Sequence, residues 1–283
     1  MRLEGTYTAI VTPFLDRPGQ PVDWEGLDAV VEAQVAGGVT GIVPCGTTGE
    51  SPTLTRDEHT QVVAGAGASS TREAIAMAVH AERAGADAVM VVVPYYNRPS
   101  QEGLARHFIE VARSVKVPVV VYNIPVRTGV DLLPETLARI AEAAPNVVAT
   151  KEATGNVVRA QKIAQTLGAR MTVLCGDDAL TLPMIAVGAR GVISVTSNVL
   201  PAEVSHATRL ALDGKWDEAR RAHFALLPVH EAMFLEPSPA PVKAALTMSL
   251  GVRGGVRGPM APCTEPTRKL VGAALEAYGR AAS

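Results

Sequence analysis

Val147-Val148-Ala149-Thr150-Lys151, followed at once by Glu152 and the turn-forming Thr154-Gly155-Asn156, decides how the chain is read. The run is apolar on both faces up to its last residue, as a strand buried in a parallel sheet should be. An amphipathic segment over 156–166 comes next, of a length suited to a crossover helix. A lysine that ends such a strand holds its ammonium in low dielectric. Burial disfavours the charged form, so the pKa falls and a neutral amine becomes available to attack a carbonyl and form a Schiff base. The alternative is a lysine that merely extends its ammonium to solvent.

Working outward, β-rich runs recur at 8–11, 41–44, 88–93, 118–122, 171–175 and 191–195. Amphipathic stretches at 23–36, 101–114 and 134–143 lie between them. Strand and helix alternating through short connections predict a parallel α/β fold, and the span suits one (β/α)8 TIM barrel. After Val195 the pattern is helical, over roughly 202–212, 216–234, 242–250 and 264–279. The expected division is a barrel over 1–212 and a C-terminal helical extension over 213–283. One interval is wrong for a regular barrel. From residue 41 to residue 88 is about half as long again as any later interval between strand starts, too long for one βα unit and short for two. The third strand and the helix before it therefore read as shortened or deleted near 60–65, with 61–64 as a short replacement strand.

With 283 residues, 47% hydrophobic and 19% charged, the chain is long enough for a large core. A net charge of −2 argues against nucleic acid or an anionic membrane surface as the main partner. Three widely spaced cysteines without a CxxC suit a reducing compartment rather than a disulfide framework. The six histidines lack metal-ligand spacing, so no metal is expected. The N-terminus has no signal-peptide core and no apolar run reaches membrane-spanning length, which predicts a cytoplasmic protein.

Three further strand ends carry chemistry. Gly46-Thr47-Thr48-Gly49-Glu50-Ser51 follows the run at 41–44, and on a barrel it belongs to the rim where active sites are built. Its glycines allow close backbone approach, and its amides and hydroxyls suit a carboxylate; a plain glycine-rich turn is the other reading. Pro94-Tyr95-Tyr96-Asn97 and Tyr122-Asn123-Ile124-Pro125 place phenols at two more ends, either for proton transfer or for packing. Arg127, in Arg127-Thr128-Gly129, is either a carboxylate grip or a solvated surface charge. The acids of Cys175-Gly176-Asp177-Asp178 argue against a phosphate site, and Gly65-Ala66-Gly67 is an incomplete dinucleotide motif. A carboxylate cradle, a buried amine and a phenolic relay together imply an α-keto acid.

These segments, with Lys151-Glu152-Ala153-Thr154-Gly155-Asn156 and Gly191-Val192-Ile193-Ser194-Val195, resemble the dihydrodipicolinate synthase / N-acetylneuraminate lyase superfamily, and most of all its dihydrodipicolinate synthase branch. The resemblance runs from the N-terminus to about Gly279. It implies a lyase on a TIM barrel that needs no cofactor and feeds lysine and diaminopimelate synthesis. Lys151 would form the Schiff base with pyruvate, and Tyr122, Thr47 and Tyr96 would make the proton relay. Thr48 would hold the pyruvate carboxylate, Gly176 and Ile193 would line the pocket, and Arg127 would bind the carboxylate of L-aspartate 4-semialdehyde. Tyr96 would reach a neighbouring subunit's site, implying a homo-oligomer, a tetramer built as a dimer of dimers. Positions of a lysine-effector site would be Ser51, Arg56, His59, Ser69, Glu73 and Tyr95. Arg56 and Ser69 depart from the histidine and asparagine of strongly inhibited members, which implies weak or absent lysine feedback. Two alternatives stand beside this: another pyruvate-dependent aldolase or dehydratase acting on a sugar acid or hydroxy-oxoglutarate, and a truncated, non-catalytic relative.

Overall fold

The computed structural model describes residues 3–55, 57–59 and 65–282. In chain order its main elements are β1 (Gly5–Ala9), α1 (Trp24–Ala36), β2 (Gly41–Val43), α2 (Thr71–Arg83), β3 (Val89–Val92), α3 (Gln101–Arg113), β4 (Val119–Asn123), α4 (Pro134–Ala143) and β5 (Val147–Glu152). There follow α5 (Val157–Leu167), β6 (Thr172–Cys175), α6 (Thr181–Ala186), β7 (Gly191–Ser194), α7 (Pro201–Leu212), α8 (Trp216–Ala232), α9 (Ala240–Leu250) and α10 (Glu265–Ala282). Parallel strands alternating with helices, then helices alone, are the expected (β/α)-barrel class with its C-terminal helical extension. The chain divides into two compact units, Met1–Glu4 with Thr60–Ile193 and Gly5–His59 with Ser194–Ser283.

In the first unit, β3 to β6 pair with their successors in parallel. The strands are valine-rich because both of their faces are covered. Val89, Val91, Val119 and Val121 are fully buried, and each such side chain contributes roughly 1.5–3 kcal/mol. Register then places functional side chains. Val92 is level with Tyr122, Tyr122 with Lys151, and Lys151 with Leu174. A bulge between Val119 and Val120 sets that alignment, since Val119 pairs with Val147 and Val120 with Ala149. Helices α2 to α6 pack each against the next. Ser100 caps α3 through the Gly103 amide (3.3 Å), and Asn156 caps α5 through the Arg159 amide (3.0 Å).

Beyond β3, where a third barrel strand would lie, Gly65 makes a single parallel bridge to Met90, and the Ala66 amide donates to the Met90 carbonyl (3.0 Å). Gly67 runs so close to β3 that a Cβ on it would come within 2.6 Å of the Val92 nitrogen. Gly67 of this incomplete motif thus serves close packing of backbone on backbone. The replacement strand expected over 61–64 lies outside the described residues.

In the second unit, β1 and β2 pair in parallel, with Tyr7 level with Gly41. The sequence reading starts this first strand at residue 8. It begins at Gly5, because Thr6 and Thr8 are polar yet buried and find partners: the Thr6 amide donates to Thr40 Oγ1 (3.2 Å), and Thr8 Oγ1 donates to Gln34 Oε1 (2.7 Å). Asn198 staples the same strand, accepting from the Val11 amide (3.1 Å) and donating to the Ala9 carbonyl (2.9 Å). Helices α8, α9 and α10 pack together, α7 lies on β1 and α8, and Asp23 caps α1.

Candidate active site

Lys151 is next to last in β5 and 5% exposed. Its Nζ sits 4.4 Å from the centre of the Tyr122 ring, the neighbour that the ladder puts level with it. Burial pulls the lysine pKa down to about 8; Asp178 and Cys175 oppose the shift, and Arg127 adds to it. Roughly one amine in ten is then neutral near pH 7, against a few in ten thousand for an ordinary lysine. Asp178 is itself buried, and burial pushes the pKa of the neighbouring Asp177 and of the Cys175 thiol upward. Gly176 passes close by: a Cβ there would stand 3.2 Å from Lys151 Cε and 2.7 Å from Ala153 Cβ. Only glycine leaves this space beside the amine open.

Glu152, the next residue, points to the opposite face of β5 and is fully buried. It accepts from Arg159 Nε (3.0 Å) and from the Thr154 amide (2.9 Å). Arg159 also bonds Asp131 (3.2 Å) and the Leu132 carbonyl. Asn123 at the end of β4 closes the net, donating to Asp131 (2.8 Å) and accepting from the Leu132 amide (3.1 Å). The ends of β4 and β5 are therefore tied together behind Tyr122 and Lys151. The sequence reading missed this net. Its signal was a carboxylate inside a buried strand, which requires a cation within reach.

Arg127 lies exposed on the single helical turn Pro125–Thr128. Gly129, at φ +71°, ends the turn, and Thr128 Oγ1 braces it against the Ile124 (3.1 Å) and Val130 (2.9 Å) carbonyls. Ile193 is buried in β7. Tyr96 stands apart: it is 92% exposed at φ +73°, in a turn where the Asn97 side chain donates to the Ser69 carbonyl (3.0 Å). That bond puts Ser69 beside the turn carrying Tyr95, and Glu73 lies in the first turn of α2.

In the other unit, Thr47 and Thr48 occupy the loop after β2, and Thr48 is buried. The loop is tight. Cys45 and Glu50 have φ near +50°, the Glu50 amide donates to the Thr47 carbonyl (3.1 Å), and Thr12 Oγ1 donates to the Gly49 carbonyl (2.8 Å). Ser51 Oγ lies 3.3 Å from His59 Nε2. Thr55 and Glu58 form a reciprocal cap (2.9 and 3.2 Å) for the turn at 57–59. Arg56 lies outside the described residues. Among the described residues no group of three or more His, Cys, Asp or Glu could hold a metal ion, and no helix is long and apolar enough to cross a membrane.

Parallel strands of a barrel fold, one of them ending in a buried amine beside a phenol, define a barrel enzyme that acts on carbonyl compounds. Comparison with known proteins gives the family: residues 2–278 match the dihydrodipicolinate synthetase family, and the chain belongs to it. The 4-hydroxy-tetrahydrodipicolinate synthase of Sorangium cellulosum is 53% identical over 287 residues, covering 96% of this chain and 95% of that one. The solved 4-hydroxy-tetrahydrodipicolinate synthase of Methylacidiphilum fumariolicum SolV superposes with a TM-score of 0.95 at 42% identity, over 99% of this chain and 97% of that one. The chloride-inhibited dihydrodipicolinate synthase of Acinetobacter baumannii, complexed with pyruvate, gives a TM-score of 0.94 at 40% identity over 98% and 99%. A lyase of this family, rather than a sugar-acid aldolase or a non-catalytic relative, is the reading these likenesses support.

Proposed function

We propose that the chain condenses pyruvate, held on Lys151 as a Schiff base, with L-aspartate 4-semialdehyde, in the manner of a 4-hydroxy-tetrahydrodipicolinate synthase. The observation that carries this reading is the buried amine of Lys151, with its pKa near 8 and Tyr122 level with it on the next strand. The neutral Nζ attacks the keto carbon of pyruvate. The carbonyl oxygen takes up protons and leaves as water, and the imine forms. Loss of a methyl proton gives an enamine whose carbon attacks the aldehyde carbon. Water then frees the lysine, and the product's own amine closes on its keto carbon, whose oxygen leaves as water. Tyr122 donates and accepts the protons, with Thr47 and Tyr96 relaying them to solvent. Thr48 and the Thr47 amide hold the pyruvate carboxylate, Gly176 and Ile193 line its pocket, and Arg127 receives the carboxylate of the second substrate.

The same reading assigns residues 1–212 to the barrel and 213–283 to its helical extension. It makes the enzyme a cytoplasmic dimer of dimers, with Tyr96 completing a neighbour's site, which its exposure favours. Free lysine, for which Ser51, Arg56, His59, Ser69, Glu73 and Tyr95 are the candidate effector positions, inhibits weakly or not at all. Full inhibition by a low concentration of lysine would overturn that last point.

The test is borohydride reduction in the presence of pyruvate, followed by peptide mass mapping. The wild-type chain gains a reduced pyruvate adduct on Lys151. Lys151→Arg gains none and loses turnover of aspartate semialdehyde by roughly a thousandfold or more, because a guanidinium keeps its proton at any working pH. An unlabelled wild type, or an arginine variant that still turns over, would sink the proposal. Sugar-acid aldehydes offered in place of aspartate semialdehyde should give no comparable rate.

A further inference from the structure

Lys243 on α9 is 1% exposed, in a helix beyond the barrel, and the chemistry above makes no use of it. Its ammonium donates to Glu50 Oε1 and to the Gly255 carbonyl (2.8 Å), and lies 4.1 Å from the centre of the Phe14 ring. The other Glu50 oxygen accepts from the backbone amide of Arg257 (2.9 Å). The guanidinium of Arg257 covers the same ring at 4.1 Å and reaches the carbonyls of Gln20 (2.6 Å) and Thr53 (2.9 Å) and the carboxylate of Glu58 (2.6 Å). Both oxygens of Glu50 are thus taken by the segment 243–257.

Glu50 lies two residues after Thr48 and is held at φ +54°, a left-handed conformation that a residue with a Cβ rarely adopts without surroundings that enforce it. A buried ion pair is a poor way to add stability, since well-packed apolar groups of the same volume often do as well. What it supplies is direction: two bonds of fixed geometry on one carboxylate, in a loop whose backbone must present amides to an anion.

We propose that Lys243 is a positioning residue, which clamps Glu50 and so holds the loop Gly46–Ser51 in the turn that receives the keto acid's carboxylate. The inference rests on the reading that Thr47 and Thr48 bind that carboxylate. It gives the C-terminal extension a part in pyruvate binding at a distance from the substrate.

The experiment compares wild type, Lys243→Met, Lys243→Arg and Glu50→Gln. In each, the pyruvate concentration giving half-maximal borohydride trapping is measured, with separate KM values for pyruvate and for aspartate semialdehyde and circular dichroism to confirm folding. In Lys243→Met and Glu50→Gln, half-saturating pyruvate should rise roughly ten- to a hundredfold while the semialdehyde KM stays within about twofold, the scale expected when binding groups shift by an ångström. Lys243→Arg should recover most of the loss. A folded Lys243→Met or Glu50→Gln with wild-type half-saturation, or an equal rise in both KM values, overturns the inference. Should neither fold, Glu50→Asp, which keeps the charge but withdraws the carboxylate, is read in the same way. Failure to trap any adduct in the wild type would instead count against the proposed function.

Discussion

At the scale of single residues, the burial of Lys151 has a thermodynamic consequence as well as a chemical one. Its pKa falls from 10.5 in the open chain to about 8 in the fold. Between those values the unfolded chain holds the proton more tightly, so folding releases one and stability at this position rises with pH through the window. Below about pH 8 the full penalty of enclosing a charge is present, roughly 3 kcal/mol for a shift of this size. Lys151→Met should therefore be more stable than wild type in urea near pH 7, and the advantage should fade as pH climbs toward 10.5. An advantage that does not change with pH would mean the amine is not the group responsible. Much of this was legible in advance: Lys151 and Tyr122 stood out because reactive side chains close apolar runs. Asp178 did not, since an acid in a turn reads as solvated until the fold is seen to bury it.

At the scale of elements, the net of Asn123, Asp131, Glu152 and Arg159 fixes how β4 and β5 end. Arg159→Met would leave the fully buried Glu152 charge without its cation and should cost about 3–5 kcal/mol in denaturant unfolding. Adding Glu152→Gln should return part of that loss. A single variant as stable as wild type would show that the net is dispensable. Strands were readable because valine on both faces marks a covered sheet. Helix α2 was not, and the reason lies in its inner face, which is Ala74, Ala78 and Ala81. Three methyl groups make a weak stripe beside Leu104, Phe108 and Val111 of α3. The start of the first strand, at Gly5 instead of residue 8, escaped for a related reason: threonines that hydrogen-bond inside a protein look, in sequence, like threonines facing water.

For the whole molecule, alternation of strand and helix followed by helices alone was enough to read the fold class. The proposed assembly has a fainter trace, carried by Tyr96, whose ring is exposed at a positive φ. If that phenol serves a neighbouring copy, two crippled variants should rescue each other. Lys151→Arg and Tyr96→Phe, dissociated and reassembled together, should regain activity of about a quarter of wild type or less, because only mixed pairs join a working amine to a working phenol. Mixing without any recovery would confine Tyr96 to its own subunit or to no role at all.

The missing side chain at residue 176 acts as an aperture. A methyl group in its place would rest against the last carbon before the amine and against Ala153, on the flank where the proposed reaction brings the keto acid in. The width of that opening is set by a hydrogen atom. Gly176→Ala should thus shut out ligands bulkier than pyruvate first and pyruvate next, while the nitrogen behind the obstruction keeps its depressed basicity.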